Sequence, residues 1–240
     1  MMKLVFEFKK TGDMIYISHL DLTRLFLRVL RMSDLRPAYS HGFNPHPRMS
    51  FALPLPLGIL SVCELLEFEL DEKQAKNAAQ ESIDKAVFDV NNRLPEGIFV
   101  KAWGVKPERI NKSLSSLISA AVYEFMCDGI EDSPEKLESF FMKESVFINK
   151  RDKKTCIDKE IDIRDQMLGY RIVKDIRGRM LAEATLSAAP GRTLGPAAFF
   201  LSFCRNSGLD AALLSPVITR TAMVDADIKP IYEKLNLRRL

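Results

Sequence analysis

Three histidines, His19, His41 and His46, are the only ones in a chain of 240 residues, and all lie in its first fifth. Imidazole changes charge near neutral pH, so such groups can serve as general base or acid, and they also ligate metals. The candidate catalytic residues are therefore His19, His41 and His46. A metal site would recruit Asp21 beside them. No H-x-H or H-x-x-x-H spacing accompanies the histidines, so no metal is expected. A third reading has the rings cap helices and satisfy buried polar groups.

Arginine supplies the other chemistry. Arg24, Arg28 and Arg31 fall at i, i+4 and i+7, one stripe of a helix, with Arg36 and Arg48 close behind. Tyr39, Phe43 and Asn44 lie between the last two, in the loop Tyr39-Ser40-His41-Gly42-Phe43-Asn44-Pro45-His46-Pro47-Arg48. Two prolines and a glycine restrict that backbone, which suits a loop that presents side chains. Guanidinium groups pair with phosphate and aromatic rings stack on bases, so these residues form a candidate RNA surface. Arg192, in Gly191-Arg192-Thr193-Leu194-Gly195-Pro196, approaches a helix start and is a second candidate for phosphate. No G-K-[ST] follows it, so the segment is not a P-loop.

The elements that must position these residues follow from periodicity. Alternation in Met1–Lys10 predicts a strand. Ser18-His19-Leu20-Asp21 has the form of a capping box, opening a helix to about Ser33 with Leu22, Leu25, Phe26 and Val29 on one face. Residues 48–53 and 62–70 read as strands around a Pro/Gly turn, 71–90 as one helix, and 98–105 as a strand. This is β-α-β-β-α-β, the split βαβ order of a ferredoxin-like fold. Beyond a polar join the order recurs: a strand at 118–127, a helix opened by Ser133-Pro134, strands at 145–150 and 156–164, a hairpin turning at 177–179, a helix from Gly195-Pro196, and a strand at 217–223. The expected fold is thus α+β, two tandem ferredoxin-like halves with antiparallel sheets. Residues 1–106 form the first, 118–223 the second with an extra hairpin, and 224–240 a tail that could dock.

Composition narrows the class. Hydrophobic residues make up 47% and charged residues 28%, as in a globular core with a solvated surface. The longest apolar run, 51–63, is interrupted by Pro54, Pro56 and Gly58 and is too short to span a bilayer, so the expected setting is the cytoplasm, with no membrane partner. Cys63, Cys127, Cys156 and Cys204 are far apart, without the close spacing of zinc or iron–sulfur sites, and read as buried thiols. No cofactor is expected on this chain. The net charge of +3 is concentrated: residues 1–48 hold eight Lys/Arg against four Asp/Glu. A local basic region attracts phosphate without an extreme total.

The segments Tyr16-Ile17-Ser18-His19-Leu20-Asp21-Leu22, Gly42-Phe43-Asn44-Pro45-His46-Pro47 and Leu55-Pro56-Leu57-Gly58 resemble the radical SAM-linked proteins. Members of that family occur as separate chains, or as C-terminal extensions, beside cobalamin-binding radical SAM proteins, often near genes for ribonuclease G and ribosomal proteins. The likeness spans most of the chain, closest over 15–58 and looser around Gly191–Phe199. It implies work linked to RNA (rRNA or tRNA) with a cobalamin-binding radical SAM protein as partner, and it supplies no catalytic residues. This chain lacks C-x-x-x-C-x-x-C, so the radical chemistry would belong to that partner. The sequence therefore points to an RNA-binding accessory protein. Two alternatives are a metal-independent ribonuclease using one of the three histidines, and a pure protein-interaction subunit.

Overall fold

The computed structural model describes residues 2–77, 79–128, 130, 133–151, 158–174 and 180–240. The chain is α+β and divides into two compact units, Met1–Ile118 with Val224–Leu240, and Ser119–Met223. Among the described residues no helix is long and apolar enough to cross a membrane.

In the first unit, β1 (Lys3–Lys10), β2 (Met49–Phe51), β3 (Leu60–Glu69) and β4 (Ile98–Val105) form an antiparallel sheet in the order β4-β1-β3-β2. Helices α1 (His19–Met32) and α3 (Gln80–Arg93) contribute Phe26, Leu30, Val87 and Val90 to the core above it. Leu4, Phe6 and Phe8 point into that core, as their alternation requires. The intervening Glu7 is buried too, with its carboxylate 2.9 Å from Lys101.

The predicted cap holds. The Ser18 hydroxyl accepts from the Asp21 amide at 3.1 Å and donates to the Asp21 carboxylate at 2.7 Å. The expected single helix over 71–90 is instead two, α2 (Glu72–Asn77) and α3. Ala79 is extended (φ −67°, ψ 144°), which no continuous α-helix accommodates. Just before β4, Gly97 has φ +92°, and a Cβ there would stand 2.4 Å from the Thr11 carbonyl oxygen. Only glycine fits that close approach, which the 2.7 Å bond from the Thr11 amide to the Gly97 carbonyl locks.

The second unit contains β5 (Ala120–Cys127), α4 (Ser133–Phe141), β6 (Phe147–Arg151), β7 (Asp158–Asp162), β8 (Met167–Lys174), β9 (Met180–Ser187), α5 (Pro196–Asn206) and β10 (Val217–Val224). Its main sheet runs β10-β5-β9-β8, and β6 and β7 form a separate two-stranded sheet. The pair expected as a hairpin, β8 and β9, lies in the main sheet, whereas β6 and β7 pair only with each other. The turn predicted at 177–179 and Cys156 lie outside the described residues. The core is built from Phe125, Phe140, Phe141, Phe199 and Phe203, with ring centroids 5.2–5.8 Å apart between Phe199 and its neighbours Phe125, Phe140 and Phe141. Cys127 and Cys204 are buried free thiols here, and Cys63 is buried in the first unit, its amide donating to the Ser61 hydroxyl. Burial pushes the Cys204 thiol up to about 11.

The tail belongs to the first unit. There β11 (Arg238–Arg239) extends the sheet by pairing antiparallel with β4, and Ile231 and Leu235 are fully buried.

Candidate functional site

The first unit's sheet has two ends, and the candidate residues divide between them. At the end where β1 finishes, His19 begins α1 and sets its ring edge-on against Phe51, with centroids 5.2 Å apart. Phe51 in turn packs on Phe8 and Phe26, so His19 closes an aromatic cluster. The same end holds the buried Lys10 ammonium against the carbonyls of Ile15 and Ile17.

A helix of 14 residues then carries the chain roughly 20 Å away. The segment after α1 returns to the far end of β3, where backbone bonds fix it. Asp34 takes a left-handed φ of +55°, and the Arg36 amide donates to Gln74 at 2.7 Å. Pro37 bridges Leu70, the Ala38 amide donates to the Glu69 carbonyl at 2.7 Å, and the Arg48 amide donates to the Ala38 carbonyl at 2.7 Å. Tyr39 bridges Pro47, and Ser40 and His46 exchange two hydrogen bonds, one of them to the Ser40 hydroxyl. The loop is thus a small paired finger, with His41, Gly42, Phe43, Asn44 and His46 exposed on it. Gly42 sits at φ +129°, in the region that favours glycine.

This topology keeps His19 apart from His41 and His46. Among the described residues, no three His, Cys, Asp or Glu side chains gather as a metal site would require. A joint site of the three imidazoles, with or without Asp21, is not assembled.

The arginines also separate into two kinds. Arg24 lies 3.0 Å from Asp21, Arg48 3.2 Å from Glu69, Arg36 4.0 Å from Asp34, and Arg192, in the second unit, 3.3 Å from Asp165. Hydrogen bonds from Ser18 and Arg24 hold the Asp21 carboxyl below its usual range. No carboxylate among the described residues stands within ion-pair distance of Arg28 or Arg31, and both are exposed. The Arg31 guanidinium lies 5.4 Å above the Tyr39 ring, a cation–π arrangement that holds the aromatic upright. Phe43, at a relative exposure of 107%, stands in solvent.

Beside the finger is a cleft of about 790 Å³ lined by Tyr39, His41, Met2, Leu70, Ala75 and Val105, among others. Its walls include a buried ion pair, in which the Lys106 ammonium lies 2.7 Å from Glu67 and Lys3 reaches the same carboxylate at 3.1 Å. A smaller hollow of about 360 Å³ adjoins it, lined by Arg31, Arg36 and Tyr39. Sequence reasoning found Tyr39, His41 and the arginines but missed Met2, Ala75, Lys76, Val105 and Lys106. Four separated segments meet there, and no local pattern marks them.

The chain belongs to the family described as "Uncharacterized protein conserved in bacteria (DUF2344)", whose model matches residues 3–196, a family that occurs beside or fused to cobalamin-binding radical SAM proteins. No curated protein matches it. Among solved structures it is similar to a chain of a Cbf5-Nop10-Gar1 complex, with 9% identity and a TM-score of 0.47 over 92% of this chain and 48% of that one. It therefore spans about half the length of that relative. A structure described as that of a glycine cleavage system transcriptional repressor matches at 8% identity and a TM-score of 0.27, covering 90% of this chain and 95% of that one.

Proposed function

We propose that this member of the family is an RNA-binding accessory module, working in the cytoplasm with a cobalamin-binding radical SAM protein. The observation that carries the proposal is the set of free cations at one end of the first unit. Among the described residues Arg28 and Arg31 have no carboxylate within ion-pair distance, Arg31 lies over Tyr39, and Phe43 stands exposed on the finger that Tyr39 opens. An arginine already neutralised by a neighbour gives up that pairing when it meets phosphate, so the binding surface centres on Arg28 and Arg31. Arg36 and Arg48 flank it in support, with Asn44 beside Phe43, and Arg24 continues the stripe one turn back toward the other end, where Asp21 already engages it.

Both units are read here as copies of one split βαβ plan. The strand orders β4-β1-β3-β2 and β10-β5-β9-β8 support that reading, with β6–β7 as an insertion. A sheet of this plan offers one end for side-chain display, and the finger occupies that end in the first unit. Catalysis is assigned to the partner. His19 is engaged with Phe51, and no hydrogen bond from a described residue orients the exposed rings of His41 and His46.

The test is RNA binding by the full chain across a salt series. Replacing Arg28 and Arg31 together by alanine should lower affinity roughly tenfold or more and reduce the salt slope by about 1.4–2. Unchanged affinity and slope in the double variant would reject this surface. Specific binding of the radical SAM protein with no RNA affinity at all would favour a pure interaction subunit.

A further inference from the structure

We propose that the cleft beside Tyr39 takes the base of one unpaired RNA nucleotide while its phosphate lies in the adjoining hollow on Arg31 and Arg36. The inference rests on the RNA-binding reading above and names the substrate class as single-stranded RNA.

Three observations lead to it. The first is size and lining. At about 790 Å³ the cleft falls within the range of small-ligand pockets, and Met2, Leu70, Ala75 and Val105 give it apolar surface suited to a planar ring. The second is charge. Lys3, Arg48, Lys76 and Lys106 line the cleft, and so do Glu69, Asp71, Glu72 and Glu108. Four cations are answered by four carboxylates, so the cleft itself does not select an anion. The neighbouring hollow is different: Arg31 and Arg36 both face it with Asp71 as the one carboxylate in its lining, and since Arg36 also lies 4.0 Å from Asp34, Arg31 is the principal cation it offers. A neutral, partly apolar cleft next to a cationic hollow matches a nucleotide laid across the two, base on one side and phosphate on the other.

The third observation concerns the residue between them. Tyr39 lines both spaces, and its hydroxyl is buried with no hydrogen-bond partner among the described residues. That oxygen is itself shielded from solvent, so a ligand acceptor meets it only when the Tyr39 ring turns toward the cleft, and the bond then gained offsets the free energy that the unpartnered hydroxyl costs. A base edge supplies such acceptors, and the Arg31 guanidinium already fixes the ring from one face. Bases stacked inside a duplex cannot enter a cleft of this kind, so the site distinguishes unpaired from paired RNA.

The experiment measures binding of the full chain to a short labelled single-stranded RNA and to the blunt duplex of the same sequence. Val105 is 44% exposed on the cleft wall, so Val105→Trp fills the space without entering the core. It should weaken single-strand binding about tenfold or more while leaving duplex binding and thermal stability unchanged. Tyr39→Phe should weaken single-strand binding a few-fold and leave the free protein as stable or more so, the reverse of what a structural hydroxyl would give. If Val105→Trp fails to fold, Ile110→Trp, from another segment of the lining, replaces it. A folded cleft-filling variant that binds both RNAs like the native chain overturns the pocket, and the Arg28/Arg31 double variant still judges the RNA reading separately. Native protein that binds neither RNA removes both.

Discussion

The two ends of the first unit's sheet are built from similar residues and differ in what remains unsatisfied. At one end His19 rests on Phe51, Ser18 and Asp21 cap α1, Arg24 is paired, and Gly97 packs against Thr11. At the other, no described residue supplies a carboxylate to Arg28 or Arg31 or a hydrogen-bond partner to the Tyr39 hydroxyl, Phe43 is bare, and a cleft lies open. Histidine and arginine occur at both, so residue type alone does not separate structure from binding. Tyr16 and Leu20 are exposed at the closed end and Arg36 and Arg48 are paired at the open one, so the difference lies in the cations of α1, the Tyr39 hydroxyl and the cleft.

The sharpest way to break this comparison is at the closed end. Gly97→Ala should destabilise the chain by about 2–3 kcal/mol, because the new methyl meets the Thr11 carbonyl and the φ of +92° strains any L side chain. Urea unfolding measures this, and RNA affinity per folded molecule should be unchanged. A cost near zero would mean that the closed end is not the rigid support described.

At the open end the effects should reverse. Phe43→Ala should leave unfolding unchanged, since the ring buries nothing. It should weaken RNA binding by about 1–3 kcal/mol, the range for one base–aromatic stack. Loss of stability without loss of binding would contradict the division between the ends.

The smallest effect is at the cap. Ser18→Ala should cost about 1 kcal/mol through the lost bond to the Asp21 amide. Asp21 is held below its ordinary value by Ser18 and Arg24, so its contribution is present above the unfolded carboxylate range and lost as pH falls through the folded value. The Ser18→Ala variant should therefore lose less stability on acidification than the native chain does, as read by unfolding at pH values on either side of that range.

What the sequence revealed follows the range of the interactions. The Ser18 cap, the α1 core face and the strand alternation around Phe6 rest on contacts within a few residues, and all were legible. The burial of Glu7 was not legible, because its partner Lys101 lies far along the chain on a neighbouring strand. Arg48 was grouped with the free cations for the same reason, its partner Glu69 being 21 residues away on β3. The break between α2 and α3 lacked the proline or glycine that usually marks one. The cleft could not be read at all, because the end of β3, the start of α2 and the end of β4 converge on the finger only after folding. The tail gave no periodic signal, since β11 is two residues long and depends wholly on β4 for its pairing.

The central claim, that the open end and not the closed one meets RNA, is tested most directly by ultraviolet crosslinking of the full chain to single-stranded RNA, followed by mass spectrometry of the crosslinked peptides. The account expects adducts on the finger, at Tyr39 and Phe43, and none at Tyr16 or His19. Adducts at Tyr16 or His19 with a clean finger, or adducts confined to Ser119–Met223, would contradict it.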